Sequence, residues 1–166
     1  CGNAELAPAP RFRIGSVEPM DVTDELIDVM ARANGRICRH LHLPLQSGST
    51  DILAQMNRPY TASDFLGLVD KLRASIPLIS LSTDIIVGFP GETDNDFLQT
   101  CSVAQACCFS KIHVFPYSKR EGTPAAQRAD QIAPSIKTER AVRLRNLGDR
   151  LAHRDFESRT GTTEWV

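Results

Sequence analysis

The sequence carries no apolar run longer than a few residues, which excludes a membrane-spanning helix. It has no basic start leading into an apolar core, so no secretory signal is expected. It also lacks an excess of either charge: 19 basic and 20 acidic residues leave a net charge of −1, which for the chain as a whole points to no nucleic-acid partner. Paired cysteine spacing is missing as well. Cys1, Cys38, Cys101, Cys107 and Cys108 form an odd set without a C-x-x-C pair, arguing against a disulfide framework and against a cysteine metal site. Reduced thiols in a cytoplasmic chain, packed as small hydrophobes, are the expected state. Neither an internal repeat nor a Gly-x-x-x-x-Gly-Lys-Ser/Thr phosphate loop occurs.

What is present suits one domain of ordinary size: 166 residues, 42% hydrophobic and 23% charged. The charge is unevenly spread. Residues 1–118 sum to −4 and residues 119–160 to +4, a modest basic end.

Short apolar runs alternate with amphipathic stretches. Residues 11–17 read as a strand, ended by Pro19. Thr23 then suits a helix N-cap, with Asp24 and Glu25 in the first turn and Asn34-Gly35 as the stop. The run Cys38 to Gln46 alternates strictly, with Leu41, Leu43 and Leu45 on one face and His40, His42, Pro44 and Gln46 on the other. Ser49 or Thr50 caps a short helix, and Thr61 with Asp64 caps a second whose face is Phe65, Leu68, Val69, Leu72 and Ile76. A third strand runs through "LISLSTDIIVGFPG", Thr93 opens a helix to about Cys108, and "KIHVFPYS" is a fourth strand. Pro134 fits the first position of a last helix. This order predicts an α/β chain of about four parallel βα units joined by right-handed crossovers. "RTGTTEWV" reads as a turn entering a strand that is not completed, as in a piece of a longer chain.

In parallel α/β folds ligands bind at the carboxyl ends of strands. Four polar, Gly-containing segments fall there: "GSVEP", "PLQSGS", "GFPGET" and "PYSKREGT". If the sheet curls, His40, His42, Gln46, Asp84 and His113 face a common interior. His40, His42, Asp84 and His113 then suggest a metal-dependent hydrolase as an alternative, although a bridging pair from further strands is missing. Core histidines and tight capped turns explain the same residues without chemistry.

The strings "RIGSVEPMDVTDELIDVM", "CRHLHLPLQSGSTDILAQMNRPYT", "STDIIVGFPGETDNDF" and "FSKIHVFPYSKREGTPAA" resemble the radical S-adenosylmethionine methylthiotransferases. "MNRPYT" and "HVFPYS…GTPAA" favour the branch that adds a methylthio group to C2 of N6-threonylcarbamoyladenosine beside the tRNA anticodon. The resemblance implies a partial TIM-like radical SAM barrel over residues 11–158, a leader or the end of a preceding helix over 1–10, and the start of an RNA-binding β domain over 159–166. It implies S-adenosylmethionine and [4Fe–4S] clusters as cofactors and tRNA as partner. Ser16, Glu18, Gln46 and Ser47 would approach the methionine or ribose of S-adenosylmethionine, and Val87, Gly88 and Phe115 its adenine. Lys119 and Arg120 would stand at the RNA-facing rim. Two features depart from the family. Gly15 stands where relatives have Ser, and the C-x-x-x-C-x-x-C cluster loop is absent from this sequence. The resemblance therefore implies no metal ligand in this chain, no cleavage of S-adenosylmethionine by it alone, and an unpaired edge at residues 11–17 through which it self-associates.

Overall fold

The computed structural model describes residues 10–162. The expected leader lies outside the described residues apart from Pro10, as does the expected β-domain start from residue 163 onward.

Three parallel strands form the sheet in the order β1 (His40–His42), β2 (Ser80–Val87) and β3 (Lys111–Pro116). The first expected strand, residues 11–17, runs beside β1 held by two isolated parallel bridges, Phe12 to Ile37 and Ser16 to His42, instead of a continuous ladder. β1 is shorter than its alternating run because Pro44 has no N–H to give the ladder. Past it the Thr83 hydroxyl accepts from the Leu45 N–H at 2.9 Å, and pairing resumes where Gln46 N donates to the Asp84 carbonyl at 2.9 Å.

The caps form where the side chains call for them. Thr23 accepts from Leu26 N and starts α1 (Asp24–Arg32), while Ser49 accepts from Ile52 N and starts α2 (Thr50–Gln55). Reciprocal capping boxes, Thr61 with Asp64 and Thr93 with Asp96, open α3 (Ala62–Ser75) and α4 (Asp94–Cys107). A four-residue turn of helix, α5 (Pro124–Gln127), precedes α6 (Pro134–Arg159), which has Pro134 in its first turn.

The helices cover one face of the sheet in the order α1, α3, α4, α6. Leu41, Leu43, Leu45, Leu81, Ile85 and Val87 from the strands are fully enclosed there, packed in one core with Phe65, Leu72, Phe97, Phe109 and Leu144. Cys107 is buried as expected, and burial pushes its thiol up to about 12; Cys108 is exposed in a left-handed cap at φ 46°. No described helix is long and apolar enough to cross a membrane.

Candidate functional site

The other face of the sheet follows from the two-residue strand period. β1 contributes His40 and His42, β2 Ser80, Ser82, Asp84 and Ile86, and β3 Lys111, His113 and Phe115. Parallel register stacks them in layers: His42 aligns with Ser82, Asp84 with His113, and Ile86 with Phe115. The lower layers are polar. The upper one, nearest the carboxyl ends, is apolar and aromatic.

Ser82 organises the lower layers. Its hydroxyl lies 3.2 Å from His40 Nε2 and 3.0 Å from His42 Nδ1. His42 Nε2 in turn lies 3.4 Å from Asp84 Oδ1, and the His42 and His113 rings tilt at 52° with centroids 5.9 Å apart. Asp84 is thus half-buried and faces a histidine, as a carboxylate within an apolar strand must. Burial, with Arg13 and His42 adding to it, lowers the His40 pKa; its Nδ1 is enclosed and without a partner. Of the four residues in the hydrolase alternative, His42, Asp84 and His113 converge, with ligand atoms all within 4.8 Å of one another, and His40 stays out of that group.

At the carboxyl edge, the residues expected to approach S-adenosylmethionine divide. Ser16 is exposed beside His42, Gln46 is half-buried in a left-handed turn at φ 64°, and Phe115 keeps 51% of its surface exposed between buried Val114 and the strand end. Ser16 stands on the rung of His42 and Ser82, Gln46 pairs with Ile85, and Phe115 pairs with Ile86. Glu18 accepts twice from an Arg58 Nη, at 2.9 and 3.1 Å. Ser47 is fully buried instead, with its hydroxyl 3.3 Å from Thr100 Oγ1 and accepting from Ser49 N at 3.2 Å. Val87 lies on the helix-covered face, and its carbonyl accepts from Tyr117 N at 2.8 Å.

Gly88 takes a φ of +70°, and a Cβ there would lie 2.4 Å from Lys137 Cγ, so glycine is required by backbone shape and by the lysine stem together. That lysine donates to the Tyr117 carbonyl at 3.0 Å and stands 5.0 Å over its ring. Lys119 and Arg120 are exposed on the loop after β3.

Sequence reasoning missed several supports of the site. Ser82 and Ile86 share the face of Asp84 by the two-residue strand period. Arg58 had no local signal. Arg140 and Glu92, a buried pair 2.6 Å apart, had no local signal as partners either.

The profile of the radical SAM superfamily matches residues 5–104. The chain is 46% identical over 142 residues to threonylcarbamoyladenosine tRNA methylthiotransferase MtaB of Bacillus subtilis, covering 86% of this chain and 31% of that protein. It is 48% identical over 134 residues to the tRNA-2-methylthio-N(6)-dimethylallyladenosine synthase of Lachnoclostridium phytofermentans (81% of this chain, 29% of the relative). The corresponding synthase of Corynebacterium urealyticum is 45% identical over 164 residues (99% and 30%). The chain thus spans about 30% of the length of the curated relatives it matches. Among solved structures, coproporphyrinogen III oxidase of Escherichia coli, a radical SAM enzyme, superposes with a TM-score of 0.66 at 21% identity, over 85% of this chain and 32% of that one. That likeness concerns the fold: the three-stranded parallel sheet with its covering helices is part of a TIM-like barrel.

Proposed function

Because the chain belongs to the radical SAM superfamily, we propose that it is the section of a tRNA methylthiotransferase whose strand ends cradle S-adenosylmethionine. The observation that carries the proposal is the pairing of Gln46 with Ile85 and of exposed Phe115 with Ile86, a polar group and an aromatic near the carboxyl ends of neighbouring parallel strands, with Ser16 paired to His42 on the next strand. S-adenosylmethionine, when reductively cleaved at a [4Fe–4S] cluster, supplies a carbon radical able to take hydrogen from an adenine ring.

This chain's residues hold the cofactor and do not ligate the cluster, since its cysteines lack the spacing for it. The Ser16 hydroxyl and Gln46 amide meet polar atoms of the methionine and ribose, and the Phe115 ring with Ile86 covers the adenine face. Glu18 joins through its free acceptor capacity while Arg58 fixes its rotamer. Ser47, Val87 and Gly88 act one step back, shaping the turns that present these groups. Alone, the chain does not cleave S-adenosylmethionine.

The substrate proposed is tRNA carrying N6-threonylcarbamoyladenosine, methylthiolated at adenine C2. Identity does not choose between the two branches, at 46% for one and 45–50% for the other, and the choice rests on "HVFPYS…GTPAA". Lys119 and Arg120 are placed to meet phosphate. We also propose that the edge at residues 11–17, where Phe12 is 58% exposed, pairs two copies of this chain when isolated. Light scattering over a concentration series should show dimers that Phe12→Ser weakens, and a monomer throughout would contradict the pairing.

The cradle is tested in a chimera in which the matching section of the Bacillus subtilis relative is replaced by this chain and its clusters are reconstituted. Gln46→Ala and Phe115→Ala should each raise KM for S-adenosylmethionine at least tenfold, read as 5′-deoxyadenosine formation. An unchanged KM in both variants would overturn the cradle.

A further inference from the structure

We propose that His42, Asp84 and His113 bind one divalent transition-metal ion on the inner wall of the sheet, a site below the layer of Ile86 and Phe115. Each ligand comes from a different strand, and register sets Asp84 directly beside His113. All three ligand atoms lie within 4.8 Å of one another.

The key distance is 3.4 Å, from His42 Nε2 to Asp84 Oδ1. It is long for an N–H···O hydrogen bond. It equals the spacing of two ligands on one ion, because bonds of about 2.1 Å to a tetrahedral zinc set neighbouring ligands roughly 3.4 Å apart. His42 and Asp84 are therefore already at coordination spacing, and His113 lies within 4.8 Å of both.

His42 is also oriented for the task. Ser82 Oγ engages its Nδ1 at 3.0 Å and leaves Nε2 turned to Asp84, the arrangement by which an outer hydrogen bond fixes a ligating imidazole. His113 is exposed, and Asp84 keeps 32% of its side chain open, so an ion can enter. Two imidazoles and one carboxylate suit zinc-like ions and not calcium or magnesium, which take oxygen ligands. Three protein ligands leave a coordination position for water or another small donor facing the interior. Lys111, two residues along on β3, is exposed, where solvent screens its charge.

Co²⁺ titration of the tag-free, chelator-treated full chain tests the site. The expected result is one equivalent bound per chain, visible d–d bands without a strong thiolate charge-transfer band, and displacement by Zn²⁺. His113→Asn and Asp84→Asn should each weaken binding at least tenfold, and Ser82→Ala should weaken it with the stoichiometry kept. Cys108→Ser should leave it unchanged. Circular dichroism checks that the variants fold, and His113, being exposed, is the variant least able to disturb the core. Absence of saturable binding, unchanged affinity in both ligand variants, or loss of binding in Cys108→Ser would overturn the site.

Discussion

Arg140 Nη1 lies 2.6 Å from Glu92 Oε1, with only 5% and 2% of the two side chains exposed, so an ion pair buried between α6 and the turn after β2 fixes that turn. Glu92 accepts from the Gly88 N–H at 3.0 Å as well, and Arg140 donates to the Glu92 carbonyl at 3.2 Å. The conformation of Gly88 at the candidate site is therefore held by the last helix.

Removing one partner leaves the other charge enclosed and unpaired. Arg140→Met should cost about 3–5 kcal/mol in urea unfolding, and the double variant with Glu92→Gln should regain a large part of it. Asp94→Ala should cost under about 1 kcal/mol, because Asp94 is 93% exposed though it too meets Arg140 at 2.6 Å.

Acid should rescue the Arg140→Met variant. Burial raises the Glu92 pKa above its ordinary value, against the pull of the Gly88 N–H and Arg140, and without Arg140 it rises further. A carboxyl raised in the folded state binds its proton there first, so stability falls as pH rises through that window and recovers as pH drops. The deficit against wild type should shrink between neutral pH and the upper carboxylate range; a constant deficit would contradict this.

Asp96 should behave in the opposite sense. Burial works to raise its pKa, but the hydroxyls of Ser49 and Thr93, at 2.6 Å each, and the Thr93 N–H outweigh it and hold it below the usual value. Its contribution is complete above the ordinary carboxylate pKa and is lost as pH falls through the lowered one. Asp96→Asn should flatten the acid limb of the stability profile and loosen the Ser47–Ser49 loop, seen as faster amide exchange there.

Gly48 should not tolerate a methyl group. A Cβ at this position would lie 2.5 Å from Thr100 Cα and 3.0 Å from the Gln99 carbonyl oxygen, both backbone atoms of α4. Gly48→Ala should cost about 1–3 kcal/mol by thermal or urea unfolding. Gly15→Ala, with nothing within 4 Å, should stay within about 0.5 kcal/mol of wild type.

Much of this architecture was legible locally. Thr23, Ser49, Thr61 and Thr93 cap where their sequence context says they should, because an N-cap needs only a side-chain oxygen and the next turn. The period of two separated Leu41 and Leu43 from His40 and His42 correctly. Strand extents were not legible, because a ladder depends on a partner: Pro44 cut β1 short, and residues 11–17 pair at only two points.

The candidate site was half legible for a related reason. Period two carries Asp84 and His113 to the inner face, but it equally carries Val87 to the helix side, where apolar strand ends look alike in sequence. Ser47 was read from its loop, while its burial depends on Thr100, which is 53 residues away. Arg140 had one usable signal: it stands four residues after Ile136 and four before Leu144, inside the apolar stripe of α6. A cation at a core position implies a buried partner.

The most direct measurement of the central proposal is the mass analysis of tRNA nucleosides from a strain that lacks the Bacillus subtilis relative and expresses the chimera carrying this chain. The expected result is that 2-methylthio-N6-threonylcarbamoyladenosine reappears. A soluble, cluster-loaded chimera that leaves this nucleoside without a methylthio group would contradict it.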